Sequence, residues 1–482
     1  MYSTEYELVV HLLEYYFGRQ VAKVAGAILL RGQVMLQRLM SQPHLDFKLV
    51  RNSIVILMHH GLVDYSLQTI QSGDCRVAAV FYSISCEHVL SYPLLPFGCL
   101  LAKTELGPNC YDVLKIICMR GTISHRRLCE YASTVLPLGF DEIKDCISRL
   151  LKSGFITNCN SYQHRFTAMD VSSRGSDSIT DSLASMNSEI FHIMQGEELT
   201  GPDGHLLRVN IPYIVDKLLK EEIVSLVCKR VGDMPMVRAI MKALMDNPKG
   251  AWPMILEYSV LEKRVLENLQ NFYATQSSGD QVKRLLNALN KHPDNLVQHE
   301  ACTNSYHLDW FKVKLMLRKK AILGCVRQLC GSKAARIWNL LVSHNDNNTH
   351  ATFDAHTVSN QALVSMQTAR SILYQLTLRG LATHHEADAI NASVPAPTTS
   401  DRHVLSFSST VESTCHHIMK TAYKFASNLL ERLQHEKVRI FQAYFSPETK
   451  AEGDISSNQK RCDITEAHLL HVLKFVVLMQ HL

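Results

Sequence analysis

Proline is sparse in this 482-residue chain, with 14 in all, and its leucines recur at helical spacing, which argues against an all-β fold. No apolar run reaches bilayer-spanning length: Leu469 to Met479 is too short and carries His471 and Lys474. No Cys-x-x-Cys occurs among the 14 cysteines. The closest spaced pair, Cys325 and Cys330, lacks metal-ligand spacing. Scattered thiols of this kind read as reduced residues of an intracellular protein. The chain opens into an amphipathic helix (Leu8, Leu12, Leu13, Tyr16), so no targeting segment is expected ahead of it. A phosphate loop, a dinucleotide glycine motif and a nucleophile elbow are all missing. No catalytic residue and no cofactor is therefore expected. The 24 histidines include the adjacent pairs His59-His60, His384-His385 and His416-His417. Neighbours on a helix point apart and make poor joint ligands. His468 and His471 are one turn apart but have no third ligand, so no metal is expected. The net charge of +5 permits nucleic-acid contact without requiring it.

What is present is a repeated unit. Leu57-Met58-His59-His60-Gly61-Leu62-Val63, Leu150-Leu151-Lys152-Ser153-Gly154-Phe155-Ile156 and Leu376-Thr377-Leu378-Arg379-Gly380-Leu381-Ala382 share one pattern. Each is a helix end, a glycine and an apolar pair that starts a strand. Glycine takes the left-handed conformation that closes a helix without steric cost. Three positions before the anchoring leucine lie Ile54, Ile147 and Leu373, and seven before it lie Val50, Ile143 and Ala369. These offsets return to one helical face. A degraded fourth copy has Val282, Leu286 and Leu289, with Pro293 in the glycine's place. Six positions before the leucine, all four copies are basic: Arg51, Lys144, Lys283 and Arg370.

The fold expected is mainly α with small β-hairpins: four tandem extended winged-helix domains, then an antiparallel coiled-coil hairpin. In the first unit (1–85), a helix to about Leu30, a second at Val34–Met40 and the signature helix from Asp46 precede strands at Leu62–Leu67 and Val77–Ser83. Three helices and a hairpin make a winged helix. The second unit (86–210) has Ser124 as a helix cap, a strand from Phe155 and its partner at His205–Val209, with a flexible wing or linker at about 164–204. The third (211–310) is followed by a connecting helix at 311–330 carrying Lys312, Lys314, Arg318, Lys319 and Lys320. The fourth (331–410) has a long wing at Ala387–Asp401. In the tail (411–482), Val411, Cys415, Ile418, Ala422, Phe425 and Leu429 form a heptad seam, and Asp463-Ile464-Thr465-Glu466 reads as a capping box opening the last helix.

Backbone contact to DNA is the chemistry these units offer. The candidates are Arg31, Arg38, Lys48 and Arg51 in the first unit, Arg126, Arg127, Lys144 and Lys152 in the second, and Arg370 in the fourth. No signature helix is dense in the Arg and Asn suited to base readout, so sequence-specific recognition is not expected. Ile418, Phe425, Leu429 and Leu473 are the candidates for a partner interface.

Several segments carry a family resemblance. Leu207-Arg208-Val209-Asn210, Glu222-Ile223-Val224-Ser225-Leu226-Val227 and the run from Asp216 to Asp246 look like a third-domain entry. Lys333-Ala334-Ala335-Arg336-Ile337-Trp338-Asn339-Leu340-Leu341 looks like a fourth-domain start, and Tyr423 to Arg432 like a coiled-coil helix. Together, and with Pro293, they resemble the winged-helix subunit specific to RNA polymerase III, which is similar to the α subunit of TFIIE. The segment Val171–Ser188 lacks the long basic insertion often found in that family. The resemblance implies a non-catalytic, nuclear polymerase subunit that helps promoter opening. It also implies its partners: the clamp of the largest subunit, two smaller specific subunits, a TFIIIB-type initiation factor, and double-stranded or melted promoter DNA. The alternative is a winged-helix scaffold of a lid or signalosome type, without nucleic acid.

Overall fold

The computed structural model describes residues 3–42, 45–72, 75–159, 206–232, 234–245, 256–273, 279–292, 296–300, 302–345, 352–387, 404–444 and 451–482. The expected linker at 164–204, the wing segment 388–401, the Gly73-Asp74 turn and Pro293 lie outside them. The protein is mainly helical with small antiparallel sheets. It divides into two compact units, Met1–Lys217 with Ala422–Leu478, and Leu218–Thr421 with Met479–Leu482.

The first unit begins with α1 (Ser3–Phe17) and α2 (Arg19–Arg31), where a single helix is expected from sequence. Gly18, at φ 86°, ends the first helix and lets the second begin. The expected helix at Val34–Met40 is also corrected. Gln33–Met35 is a strand, β1, and only Leu36–Met40 is helical (α3). The signature helix α4 (Phe47–His59) follows Asp46, which stands at the N-cap position without a side-chain cap bond. Val50, Ile54, Leu57 and Met58 on α4 are buried, as are Leu8, Leu12, Val24 and Ile28 on the two preceding helices. Strands β2 (Val63–Ser72) and β3 (Cys75–Ile84) pair from Val63↔Ile84 to Ser72↔Cys75, and β1 pairs with β3 on its other side.

The same strand order returns farther along this unit. Helices α5 (Cys86–Ser91), α6 (Leu95–Leu106), α7 (Pro108–Arg120), α8 (His125–Val135) and α9 (Phe140–Ser153) surround β4 (Ile123–Ser124), β5 (Ile156–Cys159) and β6 (Leu206–Val209). Ser124 caps α8, its hydroxyl accepting from the Arg127 amide at 3.4 Å. Strand β6 pairs with β5 from Ile156↔Val209 to Cys159↔Leu206, so the chain returns to this sheet after the undescribed segment.

Helix α10 (Ile211–Val231) passes from the first unit into the second. The second unit contains α11 (Pro235–Met245), β7 (Leu256–Glu257), α12 (Tyr258–Tyr273), α13 (Gly279–Asn290), β8 (Val297–Glu300) and β9 (Ser305–Leu308). Then come α14 (Trp310–Cys330), α15 (Ser332–Asn345), β10 (Phe353–Asp354), α16 (Ala355–Ala362), α17 (Met366–Leu378), β11 (Thr383–Ala387) and β12 (Val404–Ser408). Among the described residues, each of the four sheets has three strands, and in each the third strand lies between the first two. Trp338 is fully buried. Its indole N–H donates to Thr414 Oγ1 at 3.1 Å, and that hydroxyl donates in turn to the Thr410 carbonyl at 2.8 Å.

The tail is two long helices, α18 (Val411–Tyr444) and α19 (Ala451–His481). The expected capping box does not exist. Asp463 lies inside α19 and accepts from Gln459 Nε2 at 2.9 Å, while the Thr465 hydroxyl donates to the Arg461 carbonyl at 2.8 Å. Polar residues satisfied one turn back leave nothing to start a helix there. The heptad seam is corrected at Phe425, which is 50% exposed, whereas Tyr423, Ala426, Leu430 and Leu433 are buried. A straight α-helix drifts about 20° per heptad, so a strict seven-residue repeat leaves the buried face. Within the first unit, His11 Nδ1 lies 3.2 Å from Ser427 Oγ, Lys437 Nζ sits 4.4 Å over the Tyr15 ring, and Lys474 Nζ lies 5.7 Å over the Phe97 ring. These contacts set α18 on α1 and α19 on α6.

Candidate nucleic-acid interface

The signature helices end as their glycines dictate. Gly61, Gly154 and Gly380 have φ of 69°, 88° and 67°. Such values are ordinary for glycine and strained for other residues. Each glycine also has a neighbour close by. A Cβ on Gly61 would lie 2.9 Å from Arg208 Nη1, and one on Gly380 would lie 2.6 Å from His417 Nδ1. The glycine thus both stops the helix and admits a side chain from elsewhere in its unit.

At the other end of these helices stand the basic residues. Arg51 lies with its guanidinium carbon 5.8 Å from the Phe47 ring centroid, and Lys144 has its ammonium 4.6 Å from the Phe140 ring. Phe47 and Phe140 are the first helical residues of α4 and α9. Each therefore supports the cation one turn later on its own helix. This arrangement was not foreseen, although an aromatic four residues before the basic position is readable in the sequence. It does not extend to Arg370 or Lys283, which are preceded at that spacing by Met366 and Gly279.

Arg31, at the end of α2, donates to the Ala27 carbonyl at 3.4 Å and lies beside Gln42, whose side-chain oxygen accepts from it at 2.8 Å once the amide is oriented to suit its partners. Arg38 on α3 and Lys48 on α4 are exposed. A 2.8 Å bond from Gln68 Nε2 to Gln33 Oε1 links exposed side chains of the wing strand β2 and of β1. Arg126 is partly engaged by Glu130 at 3.0 Å, both side chains being well exposed. Arg127, Lys144 and Lys152 are exposed on α8 and α9. Arg370 is exposed on α17 of the second unit. Eight of the nine candidates thus belong to the first compact unit and one to the second.

Of the partner-interface candidates, Ile418, Leu429 and Leu473 are buried within their own units and Phe425 is exposed. His471 is engaged by the Ala467 carbonyl at 2.8 Å.

Sequence reasoning also missed a junction inside the first unit. The amide and hydroxyl of Thr122 both donate to the His59 carbonyl at 2.7 Å. Next to it, His60 is ringed by Phe17 and Tyr92, with ring centroids at 5.0 and 5.7 Å, and its Nδ1 lies 3.0 Å from the Tyr92 hydroxyl. Burial, together with the neighbouring His59, lowers the His60 pKa to about 4. The adjacent histidines are thus structural. The uninterrupted run from α4 into β2 places this packed joint at the end of the helix opposite Lys48 and Arg51.

Residues 7–68 match the family model for the RNA polymerase III subunit RPC82 helix-turn-helix domain. That range runs from α1 through α4 into the wing strand and includes Arg31, Arg38, Lys48 and Arg51. The chain is also similar to DNA-directed RNA polymerase III subunit RPC3 of Danio rerio, at 25% identity over 170 residues, which is 33% of this chain and 30% of the relative. The match therefore spans under a third of that protein's length. Residues 7–68 are thus similar to a helix-turn-helix domain of RNA polymerase III subunit RPC82, and the chain is similar in part to a subunit specific to that polymerase, in line with the resemblance read from the sequence.

Proposed function

We propose that the chain is a non-catalytic subunit of DNA-directed RNA polymerase III, working in the nucleus on promoter opening and initiation at small non-coding RNA genes. The observation that carries this reading is the helix-turn-helix match over residues 7–68, where Arg38 of α3 and Lys48 of α4 stand exposed. Polymerisation chemistry belongs, on this reading, to the two largest subunits.

The four three-stranded sheets and their helices are read as four winged helices, at 1–85, 86–210, 211–310 and 331–410, with a connecting helix at 311–330 and a coiled-coil hairpin at 411–482. The hairpin reading is supported by Cys462 on α19, which feels the charges of Glu436 and Lys437 on α18. The exposed ring of Phe425 is the part of α18 best suited to a neighbouring subunit. The partners on this reading are the clamp of the largest subunit, two smaller specific subunits and a TFIIIB-type factor.

Contact with promoter DNA runs through phosphates. Arg31, Arg38, Lys48, Arg51, Lys144 and Arg370 act as point or fork charges that hold the duplex or its melted strands without reading bases. Phe47 and Phe140 restrict the cations beside them, lowering the side-chain entropy lost on contact. The test is site-specific DNA photocrosslinking within the assembled enzyme. Charge reversal at Arg51 and Lys144 is expected to reduce crosslinks to this chain severalfold. Unchanged crosslinking would remove these helices from the DNA path.

A further inference from the structure

Helix α14 has an unusual charge pattern. Its 21 residues hold six cations (Lys312, Lys314, Arg318, Lys319, Lys320, Arg327) and no carboxylate. A solvated helix of this length normally intersperses acidic residues that pair with its bases. Several of them have local contacts. Lys312 pairs with Asp309 at 3.6 Å, Lys314 donates to the His481 carbonyl at 2.6 Å, and Arg318 lies near Cys415 with its Nε buried.

The helix also changes its buried side midway. Val313 and Leu317 are buried in its first half, and Ile322 and Val326 in its second. Nine residues separate Val313 from Ile322, which at 100° per residue is about 180° around the axis. The face that begins with Val313 and Leu317 therefore continues as Lys320, Gly324 and Arg327, all exposed. A Cβ on Gly324 would meet nothing within 4 Å, so this face is open. Beside it lies the last turn of α10. Lys320 feels the charges of Lys229 and Arg230 there, with that of Glu222 opposing them. Lys229 and Arg230 are exposed. Burial and these like charges lower the Lys320 pKa from its ordinary value. A cluster of like charges favours the approach of a polyanion.

We propose that the open face of α14 at Lys320, Gly324 and Arg327, with Lys229 and Arg230 of α10, binds the phosphodiester backbone of a nucleic acid. Lys320 and Arg327 are separated by about 10 Å of helix rise, enough to engage successive phosphates of one strand. Gly324 between them lets the backbone approach closely. Lys320 and Arg327 lie along a helix without carboxylates, which suits a regular polyanion better than a short acidic peptide. The proposal rests on the nucleic-acid part of the function proposed above, but uses a different surface from the signature helices.

The test uses the full chain and fluorescence anisotropy against three 30-residue probes: duplex DNA, single-stranded DNA and single-stranded RNA. The variant K229E/R230E/K320E is expected to bind at least one probe tenfold more weakly, with the same melting temperature as wild type. Its salt slope should fall by about 2 to 3, given roughly 0.7–0.9 per phosphate contact. The probe most affected identifies the source of the backbone. K320R is expected to keep wild-type affinity, and K320Q to lose severalfold should the triple variant fail to fold. Wild-type affinity of the triple variant on all three probes, alongside weakened binding by R51E/K144E, overturns the proposal and leaves the earlier reading intact. No binding by wild type overturns it as well. So does a loss confined to a poly-glutamate peptide, which would make this an acidic-protein surface.

Discussion

At the scale of single residues, positive-φ glycines separate two costs that sequence alone cannot. Gly380 and Gly331 both have left-handed φ, 67° and 90°. Only Gly380 also has a neighbour in the way, His417, while a Cβ on Gly331 would meet open space. Gly331→Ala is therefore expected to cost about 1–3 kcal/mol through backbone strain alone, and Gly380→Ala about 2–4 kcal/mol, because the second adds a steric clash to the strain. Chemical denaturation of the two variants checks the difference, and equal costs would mean that His417 moves aside freely. His60 supplies a pH prediction. Its pKa falls from 6.5 to about 4 on folding, so the folded state favours the neutral ring. The associated stability is complete above the unfolded pKa and drains away as the pH falls from about 6.5 to 4. With screening allowed for, the loss is roughly 1–2 kcal/mol. His60→Gln should flatten the urea midpoint across that window, and a variant as acid-sensitive as wild type would assign the effect elsewhere.

At the scale of elements, what was legible in the chain was what is encoded locally. The signature helices announce themselves through leucine spacing and a terminal glycine, and their anchors Ile54, Leu57, Ile147, Leu150, Leu373 and Leu376 are buried within 1% of fully. The return strand at Leu206–Val209 was also readable, because its apolar residues sit before an Asn that opens a helix. The first strands of the sheets were harder. Ile123–Ser124, Leu256–Glu257 and Phe353–Asp354 have two residues each, too few to show a period. In the strand Gln33–Met35, Val34 and Met35 fall within the helix expected at Val34–Met40, for the same reason. At the candidate site, basic positions could be found by aligning the repeats, but their aromatic supports and the change of buried face in α14 depend on three-dimensional neighbours.

Two element-level outcomes follow. Trp338 is anchored by Thr414, so Thr414→Val should leave a buried indole N–H without its acceptor and cost about 1–3 kcal/mol. A melting temperature equal to wild type would mean that water or another acceptor replaces it. On the tail, Leu473→Ala removes a fully buried side chain and should cost about 2–5 kcal/mol, whereas the half-exposed Phe425→Ala should stay near 0.5 kcal/mol or below. If Phe425 serves a partner subunit, its truncation should instead weaken assembly, readable as lower recovery of partners with the melting temperature unchanged.

At the scale of the whole molecule, the proposed function is to position other components of a larger assembly. Glycines end the signature helices α4, α9 and α17, all the candidate cations but Arg51 are exposed, and within the first unit the tail helices pack on α1 and α6. Residues 7–68 are similar to a helix-turn-helix domain of an RNA polymerase III subunit, and the proposed role rests on that similarity. The most direct measurement is affinity purification of the tagged chain from its own cells, with mass spectrometry of the proteins recovered. The account predicts the large subunits of RNA polymerase III in near-stoichiometric amount, together with two small specific subunits. Recovery of lid-type or translation-factor subunits, with no polymerase, would contradict it.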